Sequence, residues 1–394
     1  MVTDGEVNPP EWNTMGRQVN VYKQYGYVPF AVLDTSSTGR QTREGSRTLE
    51  YAFEDFAIRQ VAQVLGKSDD VEKYTNRSYS YRNVWDPSVV SDGFKGFMQK
   101  RYSNGTFFYT NPINCSPNDN QATECSLQPD NTNGFYESSS WEYSWYAPHD
   151  TAHLIELMGG NETFLERLDH FFDGGYYLSG NEPSFQTPIG YHYANQPARS
   201  VDRIRSVVLD NFSISEPVGV RLPALDHTDH FRDPDVAGLP GNDDQAAMAS
   251  LLTFHLLGLY PGKRPSSVSS QLLHYSLRYT PTTVPSSTHY LIISPFVPKY
   301  TIHNSYLNAS TTVTVKNYDP KSVAYPIPKG VAAYVKSVTI NGKFAASRCY
   351  IDFYDTFRSG AEIEIEVTSD KDEANSCGGP VPESLSTGGF AQAR

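Results

Sequence analysis

The sequence predicts a mainly α protein with a β C-terminal part, and two observations carry that prediction. Up to about residue 270, apolar residues recur at helix spacing between long polar loops. From about 275 to 368 they alternate at strand spacing, with turn signals between the runs. The predicted boundaries are a helical part over 1–272, a small β domain over 273–368 and a mobile tail over 369–394.

The helices follow in order. Leu49, Ala52, Phe53, Phe56 and Ala57 lie on one face of a helix that Gly66 stops. A short helix spans 149–158 and ends at Gly159-Gly160. Over 163–172, Phe164, Leu165, Leu168, Phe171 and Phe172 share a face. Val201, Ile204 and Val208 mark a fourth helix. Met248, Leu251, Leu252 and Leu256 mark a fifth, ended near Gly258. The loops between them are too long for a simple bundle, and such loops often carry sites. Residues 290–293, 311–315 and 334–340 read as strands, with Asn341-Gly342 as a hairpin turn. Residues 362–367 alternate Glu with Ile or Val, as a strand with one wet face does. After 369 the chain is rich in Ser, Gly and Asp, which predicts mobility.

Composition narrows the function. The formal net charge is −12, from 44 acids against 32 bases, which argues against nucleic acid and anionic membranes as partners. No run of apolar residues is long enough to span a membrane. The 27 Tyr and 20 Phe suit a surface that stacks on sugars, and equally a large core. Six glycosylation sequons occur, at Asn76, Asn104, Asn114, Asn161, Asn211 and Asn308. Cys115 and Cys125 bracket a polar loop that a disulfide would staple, and Cys349 with Cys377 would tie down the tail. An even cysteine count and several sequons lean towards an oxidising, secretory compartment. The first residues are polar and are no signal peptide. The expectation is therefore the rear part of a longer secreted protein.

Three segments carry candidate chemistry. Gly241-Asn242-Asp243-Asp244-Gln245 puts two carboxylates before an apolar helix, where the helix dipole keeps them ionised. Such a pair can cap the helix, bind a hard cation or activate water. Residues 137–150, from Glu137 to Asp150, pack acids, aromatic rings and His149 together, and Ser179-Gly180-Asn181-Glu182-Pro183-Ser184 sets an acid in a turn. A carboxylate among aromatic rings tends towards its protonated form. Two carboxylates driven apart in this way are what glycoside cleavage needs. His149 and His153 lie four apart, a weak zinc pair without a third ligand at an obvious spacing. Gly258 to Lys263 is one residue short of a phosphate loop and reads as a helix stop with a Pro turn.

Taken together, the ordered segments resemble glycoside hydrolase family 92, calcium-dependent exo-α-mannosidases that invert the anomeric centre. The matching stretches are Ser46-Arg47-Thr48-Leu49-Glu50-Tyr51-Ala52, Trp141-Glu142-Tyr143-Ser144-Trp145 through Asp150, Leu157-Met158-Gly159-Gly160, Gly180-Asn181-Glu182-Pro183-Ser184 and Leu239-Pro240-Gly241-Asn242-Asp243-Asp244. The resemblance spans about residues 20–370. The resemblance implies a partial (α/α)6 barrel followed by the small β domain. It also implies that a front β-sandwich, which helps wall the active site, is needed by this chain.

By the same resemblance Glu137 matches the general acid, four residues before Trp141, and Asp244 the general base. Asn242 and Asp243 would orient the water and the cation. Glu182 would touch the sugar or the metal shell, beside Asn181. Trp141, Glu142, His149 and Asp150 would line the pocket. Glu rather than Gln at 137 favours ordinary glycosides over phosphodiesters. The implied cofactor is Ca2+, held by Asn242, Asp243 and Glu182. The implied partner is a mannose-containing glycan, most simply α-1,2-linked. Ser179, Phe185 and Gln186 stand where family members often carry His, and 216–236 reads as an insertion; both bear on linkage specificity. Acid and base in an inverting enzyme lie about 6.5–9.5 Å apart, with water between them. The alternative is a glycan-binding fragment that holds mannose without releasing it.

Overall fold

The computed structural model describes residues 5–6, 18–36, 42–121, 123, 125, 131–212, 238–241, 246–262 and 289–390. The described chain is a mixture of helices and sheets in two compact units, one holding residues up to Leu178 together with Phe390, the other running from Ser179 to Gly389. That division falls well before the predicted boundary at 272, because two of the predicted helices pack with the strands.

In the first unit, α1 (Val19–Tyr25), α2 (Glu44–Val64) and α3 (Ser68–Ser78) precede β1 (Trp85–Ser91) and β2 (Phe94–Met98). The predicted face of α2 is the observed one: Leu49, Ala52, Phe53 and Phe56 are all buried. The β1–β2 hairpin is a correction to the all-helical reading of this region. Its turn is Asp92-Gly93, with φ of 50° and 84°, the left-handed pair that a tight two-residue hairpin requires. Two short strands, β3 (Lys100–Arg101) and β4 (Phe107–Phe108), pair next. After them come the single-turn α4 (Ser140–Tyr143), α5 (Thr151–Leu157) and α6 (Asn161–Asp173).

The second unit begins with two 3-10 turns and α7 (Pro197–Asn211), followed by α8 (Ala247–Leu256). Gly258, at φ 69°, ends the helical run, and the chain continues as β5 (Leu259–Pro261). What reads as a Pro turn is thus an edge strand, a place where Pro is tolerated. β5 pairs with β6 (His289–Ile292), and β6 with β11 (Tyr350–Asp352). The larger sheet has the order β10-β9-β12-β8-β7, from β7 (Lys299–Asn304), β8 (Ala309–Lys316), β9 (Tyr334–Ile340), β10 (Lys343–Phe344) and β12 (Ala361–Thr368). Only β12 against β8 is parallel. The inward residues Val313, Val315, Ile363 and Ile365 share one core with Ile292, Ile351 and Phe254, so α8 and both sheets cover each other's apolar faces. α7 packs through Val201, Ile204 and Val208 on Leu291 and Ile293.

The predicted mobile tail is corrected over its described length. Residues 369–389 carry a short helix (Lys371–Ala374), a Cys349–Cys377 disulfide and a buried Leu385. Arg348 holds the stretch through the carbonyls of Glu373 (2.9 Å) and Ser376 (2.5 Å). Among the described residues no helix is long and apolar enough to cross a membrane.

Candidate active site

Glu137 ends a strap that crosses the N-terminus of α2. The first backbone N–H groups of α2 have no partner within the helix. Two of them, on Gly45 and Ser46, donate to the carbonyl of Gly134 at 2.8 and 3.2 Å. The Tyr136 N–H donates to Ser46 Oγ at 3.0 Å. Gly45 is needed here: a Cβ would stand 2.7 Å from the Phe135 ring and 2.9 Å from the Gly134 carbonyl oxygen. The Glu137 N–H then donates to the carbonyl of Cys125 at 2.7 Å. Cys125 is bonded to Cys115. Inside that loop the Asp119 carboxylate accepts from the N–H groups of Cys115 (2.8 Å) and Thr123 (3.2 Å), and these and further hydrogen bonds hold its pKa below the ordinary value despite burial. Glu137 itself has φ 52°, a left-handed conformation rare for a non-glycine residue. Backbone strain of this kind persists where neighbours over-determine it, often at functional positions.

Beyond Glu137 the chain caps α4: Ser139 Oγ accepts from the Glu142 N–H at 3.1 Å. The Tyr143 phenol is buried, and its pKa is pushed well above the usual value, by burial first and then by the charges of Glu137, Glu50 and Glu142. The charges of three carboxylates therefore act on one phenol. Glu50, on α2, also accepts from Tyr146 Oη at 2.7 Å. Sequence analysis named Glu50 and Tyr143 only as parts of motifs, without a role for either. The signal was present, since Glu50 lies one helical turn after Ser46.

The residues expected to line a pocket all lie in the first unit. Trp141, Glu142, His149 and Asp150 are buried, at most 1% exposed. The Trp141 ring stacks on Tyr176 at 4.5 Å, and its Nε1–H donates to Ser91 Oγ at 3.0 Å. Arg167, fully buried, lies 4.0 Å from the Phe97 ring and 5.1 Å from Trp141; burial without a carboxylate lowers its pKa to about 9. Glu142 accepts from Ser138 Oγ. His149 stacks on Phe53 and Phe56, and its Nε2–H donates to the Ser78 carbonyl at 2.8 Å. Asp150 accepts from Tyr81 Oη and from Arg82, both at 2.8 Å. These contacts hold all four side chains within the first unit. His153 pairs with Glu156 at 2.9 Å rather than joining His149.

In the second unit, Asn181 is buried and leads into the 3-10 turn Glu182–Ser184, with Glu182 half-buried. This turn meets the Leu239-Pro240-Gly241 segment backbone to backbone. A Cβ on Gly180 would lie 2.9 Å from both Cα and N of Gly241; one on Gly241 would lie 2.7 Å from the Gly180 oxygen. Asn242, Asp243 and Asp244 follow Gly241 directly in the chain and lie outside the described residues, as does the 216–236 insertion. Among the described residues no group of three His, Cys, Asp or Glu side chains could hold a metal ion. Of the sequon asparagines, Asn76, Asn104, Asn161 and Asn308 are exposed, and Asn114 and Asn211 are half-buried.

Comparison with known proteins agrees with the ordered segments. The model of the glycosyl hydrolase family 92 catalytic domain matches residues 1–221, 227–272 and 281–369. An uncharacterized secreted glycosidase of Arthroderma benhamiae is 33% identical over 395 residues, covering 98% of this chain and 44% of that protein. The fold is similar to the family GH92 α-mannosidase BT3965 of Bacteroides thetaiotaomicron, with TM-score 0.63 and 26% identity, over 93% of this chain and 39% of that one. It is also similar to the family GH92 inverting mannosidase BT2199 of the same organism, at TM-score 0.63 and 22% identity, over 93% of this chain and 42% of that one. This chain thus spans less than half the length of the proteins it matches. With nearly its whole length matched by the family model, the chain belongs to glycosyl hydrolase family 92.

Proposed function

We propose that this chain carries the acid and base of an exo-acting α-mannosidase that removes mannose, α-1,2-linked, with inversion and with calcium. The observation that supports this most directly is the strap holding Glu137, fixed at one end by the N-terminus of α2 and at the other by the Cys115–Cys125 loop. A general acid must be held in one direction, and a strained, doubly anchored backbone does that. Glu137 gives its proton to the leaving glycosidic oxygen as the bond to the anomeric carbon breaks. Asp244 takes a proton from the water that attacks that carbon from the opposite face. The products are free mannose and the shortened glycan, and acid and base end with their protons exchanged.

The donors fit calcium: Glu182, Asn242 and Asp243 offer carboxylate and amide oxygens, and none offers sulfur or imidazole. When bound, calcium would hold mannose hydroxyls and favour the flattened ring of the transition state. In the same reading the helices are part of an (α/α)6 barrel, which a crystal structure with bound mannose would check.

The test is release of mannose from α-1,2-mannobiose with calcium and with EDTA, and the anomer first formed, followed by NMR. Glu137→Gln and Asp244→Asn are each expected to lower kcat by about 10²–10⁴-fold. Wild-type activity in either variant would remove that residue from its role. The alternative reading is a chain that binds glycan without cleaving it. Mannose binding by calorimetry with no release would select that reading.

A further inference from the structure

We propose that the contact between Gly180 and Gly241 is a positioning device, setting the distance between the Glu182 turn and the loop that continues into Asn242, Asp243 and Asp244. The inference rests on the mannosidase reading. The two loops touch through backbone alone. A Cβ on Gly180 would lie 2.9 Å from Cα and N of Gly241 and 3.0 Å from the carbonyl carbon of Pro240. A Cβ on Gly241 would lie 2.7 Å from the oxygen and 2.9 Å from the Cα of Gly180. Every one of these partners is main chain, so no rotamer can relieve the overlap and the loops must part.

Parting them moves groups that matter. Ser179 and Asn181 on either side of Gly180 are buried. Glu182 opens a tight turn closed by the Phe185 N–H on its carbonyl at 3.1 Å. A shift at Gly180 therefore carries the Glu182 carboxylate with it. On the other loop, Asn242 is one residue from the contact. In the mannosidase reading Glu182 touches the sugar, and a misplacement of about 1 Å costs on the order of a hundredfold in rate. The glycines act through these residues and touch no substrate themselves.

Gly180→Ala, Gly241→Ala and the double variant test this, with mannose release resolved into kcat and KM and with melting temperature as the fold readout. Gly66→Ala is the control: φ is +66° there against +65° at Gly241, and nothing lies within 4 Å of its Cβ. The expected result is a kcat loss of about a hundredfold in Gly180→Ala, with a melting temperature near that of the control. Because both alanines open one gap, the double variant is expected to be no worse than the poorer single one. Pro240→Gly adds no atom at the contact but frees the loop, and it is expected to lower kcat as well. Wild-type kcat in folded Gly180→Ala or in Pro240→Gly overturns the proposal, as does a double variant whose loss is the product of the singles. A wild-type chain that releases no mannose instead overturns the mannosidase reading, and this proposal with it.

Discussion

His255 lies on α8, the helix that follows the Asp244 loop, and neither ring nitrogen has a hydrogen-bond partner among the described residues. Burial pushes its pKa down to about 3. His192 is buried too, but its ring is fixed between Ser200 Oγ at 2.9 Å and the Ile292 carbonyl at 2.8 Å; burial lowers its pKa to about 4, against a smaller raising effect of the Ile292 bond. Both residues stay neutral in the folded chain at pH values where an unfolded histidine, near 6.5, takes up a proton. The unfolded state therefore binds more protons below about pH 6.5, and stability falls as pH falls through that window towards 4 and 3. His255→Leu should remove one proton from this linkage, flattening the slope by about 1.4 kcal/mol per pH unit. Urea unfolding between pH 7 and 4.5 measures it, and an unchanged slope in the variant would contradict the account. Neither histidine was singled out from sequence, because burial is a property of the packed helix and its sheet, not of the residue's neighbours in the chain.

At the level of elements, the strap before Glu137 makes the sharpest prediction. Gly134 has φ 89°, and a Cβ there would overlap the aliphatic chain of Lys100, which is buried over the Phe30 and Phe108 rings. Gly134→Ala should cost about 1–3 kcal/mol from overpacking, with about 1 kcal/mol more from the left-handed backbone. A kcat that survives this change at temperatures where the variant is folded would show that the strap does not aim Glu137. The strap also shows where sequence reading stops. The face of α2 was legible because Leu49, Ala52, Phe53 and Phe56 repeat at helix spacing. The grip of Gly134 on Gly45 and Ser46 was not, because it is a backbone contact between segments some ninety residues apart with no side-chain signature. Asp92-Gly93 was legible as a hairpin turn but was passed over amid helical patterns. Trp141 and His149 illustrate a different limit: the partners of their rings, Tyr176 for one and Phe53 and Phe56 for the other, come from other segments of the chain.

For the whole molecule, the family was legible because five short motifs stand in order along the chain, although each alone is weak. The division at Leu178 was not, because α7 and α8 carry ordinary amphipathic patterns that do not say which sheet they cover. The exposed Asn76, Asn104, Asn161 and Asn308 and the two disulfides suit a secretory route. Chain produced by that route is expected to lose mass on endoglycosidase treatment, with Asn104→Gln and Asn308→Gln each removing one glycan. An unshifted mass would count against secretion. The exposed loop of Asn104, whose Oδ1 accepts from the Thr106 N–H at 3.0 Å, has room for such a modification.

The glycines of the two units share a consequence for how this protein tolerates change. Gly45 faces Gly134, and Gly180 faces Gly241, each pair meeting where a segment with a candidate catalytic group is anchored. None of the four contributes a charge, a donor side chain or apolar area, so a ranking by chemical content would place them last. In a saturation library screened for mannose release, they should instead be among the least replaceable positions, because what each supplies is an unfilled volume that all nineteen other side chains would occupy.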